Sequence, residues 1–131
     1  QEAIQNTEDN TGLNLNLALN YGSRQEIINA TKHIAKKVQM GELNLNGINE
    51  ETFTNELYTN KMLDPDLLIR TGGESRISNF LLWQIAYTEI HITDVYWPAF
   101  SKNELLEAIS VFQTRERRYG KTSEQLCSNN N

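Results

Sequence analysis

Asp66-Leu67-Leu68-Ile69-Arg70-Thr71-Gly72-Gly73-Glu74-Ser75-Arg76-Ile77-Ser78-Asn79-Phe80 reads as a strand, a tight loop and the start of a helix, and that reading decides the fold. Leu67 to Ile69 is a short apolar run suited to a buried parallel strand, and Arg70 falls where such a strand emerges at its carboxyl end. Ligands of open α/β sheets bind outside those ends. Gly72 and Gly73 allow a tight turn and a close backbone approach, Arg76 adds a second guanidinium, and Ser78 is expected to cap a helix beginning at Asn79. Guanidinium forks match phosphate oxygens, and the free N–H groups of a helix start add positive charge. The stretch therefore predicts a site for a small phosphorylated anion. The competing reading is a structural salt-bridge loop, since arginines near glycines are common.

Working outward, Leu13, Leu15, Leu17 and Leu19 alternate with Asn14, Asn16 and Ala18, a period of two that predicts a strand with one leucine face. Ser23 and Glu26 have capping-box spacing, and Ile27, Ile28, Ile34, Ala35 and Val38 form a helical stripe ending near Gly41. Asn49 is expected to cap a short helix through Phe53 and Leu57, which Asp64-Pro65 separates from the next strand. Residues 79–87 are apolar almost all round and predict a buried helix, followed by a strand bracketed by Ile90, Ile92 and Val95. After Trp97-Pro98, Ser101 and Glu104 repeat the capping-box spacing ahead of a helix carrying Leu105, Leu106, Ile109 and Phe112 and ending before Gly120. The pattern predicts an α/β fold, a mostly parallel sheet with flanking helices, incomplete in this segment because only about three strands are visible. Residues 1–121 then form the C-terminal part of a single domain, opening on the last turns of a helix without an initiator methionine, and residues 122–131 form a polar, disordered tail.

At 131 residues, with 38% hydrophobic and 22% charged content, the chain has the size and balance of one soluble domain. A net charge of −5 argues against nucleic acid as a partner, so the clustered arginines are better read as a local anion site. The sequence has no apolar run of bilayer length and no secretory leader, which predicts a cytoplasmic location. The single cysteine, Cys127, lies in the polar tail and has no partner for an internal disulfide.

Three ordered blocks, Leu17-Ala18-Leu19-Asn20-Tyr21-Gly22-Ser23-Arg24, Pro65 to Glu89, and Trp97-Pro98 followed by Arg115-Glu116-Arg117-Arg118-Tyr119-Gly120, resemble the cis-prenyltransferases, most closely the bacterial undecaprenyl diphosphate synthases, or isoprenyl transferases. The resemblance covers roughly residues 10 to 120. It implies a homodimeric transferase that condenses isopentenyl diphosphate with an allylic diphosphate such as farnesyl diphosphate to make a long cis-polyprenyl diphosphate. Mg2+ is the implied cofactor, and the lipid product implies a peripheral membrane contact. By the same resemblance Arg70, Arg76, Ile77 and Ser78 bind isopentenyl diphosphate, and Glu89 binds magnesium, often across the subunit interface. Carboxylate oxygens suit that cation, which keeps waters and bridges phosphates. Glu74 is expected to steady a guanidinium through a charge-assisted hydrogen bond.

Two residues depart from the family pattern: Ser75 stands where many bacterial members carry histidine, and Ser23 where a second glycine is usual. The family's Asp-Gly-Asn-Gly-Arg loop, which binds the allylic diphosphate and supplies the essential aspartate, does not occur in the sequence, so no catalytic residue is assigned and the segment alone is expected to be inactive. Trp83 is read as core rather than tunnel lining, and Arg115, Arg117 and Arg118 as cations suited to a helix end or as interface residues. His33 and His91 are expected to be structural. Two further readings stay open: a non-catalytic partner subunit of a prenyltransferase, and an unrelated phosphate-binding α/β module, although no glycine-rich fingerprint follows the leucine strand.

Overall fold

Two short parallel strands organise the molecule, β1 (Leu67–Arg70) and β2 (Glu89–Ile92). They pair in the register Leu67 to Glu89, Leu68 to Ile90, Ile69 to His91 and Arg70 to Ile92. Because side chains alternate along a strand, Leu68, Arg70, Ile90 and Ile92 share one face, and Leu67, Ile69, Glu89 and His91 the other. This is the computed structural model of the chain, and it describes residues 2–115. The tail 122–131, Cys127, Arg117 and Arg118 lie outside the described residues.

The helices follow the sequence signals with instructive exceptions. After a short α1 (Glu2–Gln5), α2 (Ser23–Gln39) buries Ile34 of the predicted stripe together with Ala30, which lay outside it, while Ile28 and Ala35 are exposed; Gly41, at φ +73°, ends the helix in the left-handed conformation that favours glycine. Ser23 does not cap it. Gly22 occupies the cap position with no side chain to offer, while Ser23 and Glu26 are fully buried and bonded to distant segments. At α3 (Glu50–Thr54) Asn49 forms a capping box with Thr52, as its position predicted. At α4 (Lys102–Thr114) Ser101 and Glu104 do the same, and the bond with Ser101 holds the Glu104 carboxyl below its usual pKa.

Two expected elements take another form. Residues 79–87 are a run of turns rather than a helix: Ser78, Asn79 and Leu81 adopt φ of 54°, 63° and 47°, and left-handed residues cannot continue a right-handed helix. One α-type bond, from Ile85 N–H to Leu81 C=O at 3.0 Å, survives in it. The segment is also less buried than its apolar content predicted: Gln84 and Ile85 are buried, but Phe80, Leu82 and Tyr87 are exposed. The Trp83 ring lies 4.4 Å from that of Phe53, and its indole N–H donates to Thr54 Oγ1 at 3.2 Å, so this half-buried side chain packs against α3. The leucine strand is the second difference. Residues 13–19 form no strand ladder among the described residues, and Leu13, Leu15, Leu17 and Leu19 are 92%, 73%, 70% and 83% exposed. Alternation prepares a strand to bury one face, but only a neighbouring backbone can complete its hydrogen bonds. The sheet therefore has two strands where about three were expected.

Candidate diphosphate site

The loop after β1 is pinned to the chain leaving β2. Thr93 N–H donates to Arg70 C=O at 2.9 Å, Gly72 N–H to Val95 C=O at 3.0 Å and Gly73 N–H to Thr93 C=O at 2.9 Å. Gly72 and Gly73 adopt φ of +76° and +67°, and a Cβ on Gly73 would lie 2.8 Å from Asp94 Oδ1, so the turn requires glycine. Their amides serve protein carbonyls. Arg70, half-buried at the carboxyl end of β1, has a buried Nε with no hydrogen-bond partner among the described residues. A buried guanidinium N–H left in that state carries a desolvation cost that an anionic oxygen would relieve.

Around it a cavity of about 60 Å3 is lined by Leu68, Ile90 and Ile92 from the sheet face and by Glu74, Arg76 and Ile77 from the loop. The structure thus brings Arg70, Arg76 and Ile77 together. Glu74 forms an ion pair with Arg76, the contact expected of it, and Arg76 remains mostly exposed. Ser78 follows on the exposed loop, but its φ of 54° and the turns beyond it remove the helix start that was to add positive charge. The cationic character of the site rests on the two guanidiniums.

Glu89 lies elsewhere. In register with Leu67, it sits at the opposite end of the strand pair from Arg70 and on the opposite face. Three residues of parallel strand separate the two levels by about 10 Å. Arg115 Nη1 donates to Glu89 Oε2 at 2.9 Å and to Ile90 C=O at 3.0 Å. Arg115 stands at the C-cap of α4, where its backbone N–H donates to Phe112 C=O at 3.1 Å, and its side chain ties that helix end to β2. No group of three or more His, Cys, Asp or Glu side chains among the described residues could hold a metal ion. Glu89 is thus paired with Arg115 and stands apart from Arg70. His33 lies 3.6 Å from Glu56, an ion pair only when the imidazole is protonated, and His91 sits within β2.

Sequence reasoning missed a buried polar network behind the loop. The Glu26 carboxylate, fully buried, accepts hydrogen bonds from Tyr21 Oη, from Tyr58 N–H at 2.8 Å and from Gln84 Nε2 at 3.3 Å. Gln84 Nε2 also donates to Thr59 Oγ1 at 3.0 Å. Burial, and then the hydrogen bond to Glu26, push the Tyr21 phenol above its usual pKa. Ser23 Oγ accepts from Leu82 N–H at 2.9 Å, and Ser23 N–H donates to Asn79 C=O at 2.9 Å. Left-handed backbone costs roughly 1–2 kcal/mol per non-glycine residue, and these bonds hold the 78–82 turns against that cost. The Ser23–Glu26 spacing was the available signal, and its local interpretation as a capping box concealed it. In front of the network, residues 14–21 with Tyr58, Met62, Phe80 and Leu81 line an open groove of about 600 Å3.

The prenyltransferase family model described as "Putative undecaprenyl diphosphate synthase" matches residues 1–120. The chain belongs to this family. An isoprenyl transferase of Halalkalibacterium halodurans is 55% identical over 119 residues, 91% of this chain and 46% of the relative. One from Geobacter sulfurreducens is 52% identical over 126 residues, 96% of this chain and 51% of the relative. The chain thus spans about half the length of the curated relatives it matches. Among solved structures, lavandulyl diphosphate synthase from Lavandula x intermedia, in complex with dimethylallyl diphosphate, superposes with a TM-score of 0.88 at 40% identity, covering 92% of this chain and 52% of that one. A probable undecaprenyl diphosphate synthase from Campylobacter jejuni gives 0.75 at 40% identity, covering 89% and 52%. These likenesses bear out the expected incomplete α/β prenyltransferase fold, matched through its C-terminal part.

Proposed function

We propose that this prenyltransferase segment supplies the isopentenyl diphosphate site of an enzyme that extends farnesyl diphosphate into a long cis-polyprenyl diphosphate, undecaprenyl diphosphate in the first instance. The observation that carries the reading is Arg70, whose buried Nε lacks an acceptor among the described residues at the carboxyl end of a parallel strand, beside Arg76. Arg70 and Arg76 would grip the diphosphate with paired donors, Ile77 would pack beside it, Ser78 would add a hydroxyl, and Glu74 would steady Arg76 until substrate arrives. Fixing the homoallylic partner next to the allylic carbon converts an encounter into an oriented reaction, and guanidiniums aimed at growing negative charge stabilise it.

Joined to the N-terminal part of the H. halodurans relative, the chain is expected to convert radiolabelled isopentenyl diphosphate and farnesyl diphosphate into polyprenyl products resolved by thin-layer chromatography. A folded joined protein that binds neither diphosphate would refute the reading. We extend the proposal to a homodimer acting in the cytoplasm, with a peripheral membrane contact for its lipid product. Among the described residues no helix is long and apolar enough to cross a membrane.

Magnesium enters on the resemblance and on the chemistry of Glu89. When bound, the ion would neutralise diphosphate charge, and Glu89, released from Arg115, would serve it from a second copy of the chain. Glu89→Ala in the joined enzyme is expected to lower turnover and to raise the magnesium concentration for half-maximal rate by about tenfold, the scale of one lost ligand. An unchanged magnesium titration would leave Glu89 only its bond to Arg115.

A further inference from the structure

We infer that Asn79 is a positioning residue for the diphosphate site, capping α2 from a distant loop and so fixing the loop that carries Arg76 and Ser78. The inference rests on the reading of those residues as a diphosphate cradle. A helix begins with four backbone N–H groups that lack intrahelical partners, and α2 begins with Gly22 at its cap, which has no side chain to satisfy any of them. Asn79 satisfies two. Its backbone carbonyl accepts from Ser23 N–H at 2.9 Å, and its side-chain Oδ1 accepts from Arg24 N–H at 2.9 Å.

The capping residue lies 55 positions along the chain from the amide its side chain accepts, so the cap is a tertiary tie rather than a local one. It seizes the residue directly after Ser78 and anchors it to a 17-residue helix, the longest rigid element described. Two features of the sequence serve the contact. Asparagine tolerates the left-handed conformation, φ 63°, that this position requires. Gly22 leaves room for the amide, since a Cβ there would lie 3.0 Å from Asn79 Nδ2. The bond from Leu82 N–H to Ser23 Oγ at 2.9 Å adds a second tie three residues further on, so the turns from Asn79 to Leu82 are held against the start of α2. Asn79 acts through its neighbours: it sets where Ser78 and Arg76 stand relative to the sheet that carries Arg70.

The test is calorimetric titration of the 131-residue chain with inorganic pyrophosphate, at a temperature where circular dichroism shows each variant folded. Asn79→Ala is expected to weaken binding about tenfold, and Asn79→Asp, which keeps the acceptor at a helix N-terminus, to stay within about twofold of the parent. Gly22→Ala retains Asn79 but crowds its amide, and is expected to weaken binding about threefold, which keeps the test decisive should Asn79→Ala fail to fold. Lys32→Gly weakens the same helix at an exposed position and is expected to lower the melting temperature without changing affinity. Parent-like affinity in Asn79→Ala or Gly22→Ala overturns the inference, as does a loss in Lys32→Gly equal to that in Asn79→Ala, which would reduce the effect to general stability. Arg76→Ala separates the two levels. If it loses pyrophosphate while Asn79→Ala keeps it, the cradle stands and the positioning role falls; if Arg76→Ala binds like the parent, the cradle itself falls and the inference with it.

Discussion

The 131-residue chain by itself is expected to give no radiolabelled product from isopentenyl diphosphate and farnesyl diphosphate, whereas the same chain joined to the N-terminal part of the H. halodurans isoprenyl transferase gives one. The expected difference is the whole activity, because each thing the reaction needs is present here in part. The described sheet has two strands, against the five or six usual in a sheet, and the leucine segment 13–19 has its apolar face in solvent. Among the described residues the proposed cradle offers two guanidiniums, those of Arg70 and Arg76, a set suited to one diphosphate. The carboxylate proposed for magnesium, Glu89, lies at the far end of the strand pair from Arg70. Pairing of the N-terminal part along residues 13–19 would bury leucines that now line an open groove. Clear product from the purified chain alone would overturn this account and move the essential acid to Glu74 or Asp66.

Arg76→Ala in the joined enzyme is expected to raise the KM for isopentenyl diphosphate by roughly tenfold to a hundredfold, corresponding to about 1.5–3 kcal/mol for one charge-assisted contact. The KM for farnesyl diphosphate should change far less. In the absence of substrate Arg76 is paired with Glu74 and largely exposed, so its removal breaks no buried contact and the folded state should survive. That makes the comparison interpretable: a change confined to one substrate reports recognition. Equal shifts for both substrates, measured by varying each at saturation of the other, would remove Arg76 from the isopentenyl diphosphate site.

Local signals were legible where local physics decides the outcome. The caps of α3 and α4 were read correctly because a side chain reaching three residues ahead needs nothing from the rest of the fold. The glycine turn after β1 was legible for the same reason, and the apolar run 67–69 announced a strand whose end places Arg70. The family, too, was legible from ordered blocks of residues, and the match over residues 1–120 bears it out.

What tertiary structure alone decided is where those pieces meet. Ser23 and Glu26 have the spacing of a capping box, but burial gave their oxygens to Leu82, Tyr21, Tyr58 and Gln84, and α2 took its cap from Asn79 instead. Residues 79–87 have helical apolarity, yet the tie to α2 bends them into turns, because satisfying buried amides outweighs a helix's own propensity. The alternating leucines prescribe a strand face, but a strand becomes sheet only when another backbone lies beside it. Sequence determined which groups this prenyltransferase segment carries and the local turns that present them. The register of two strands decided that Arg70 and Glu89 stand at opposite ends and on opposite faces, since a parallel pairing fixes level and side together.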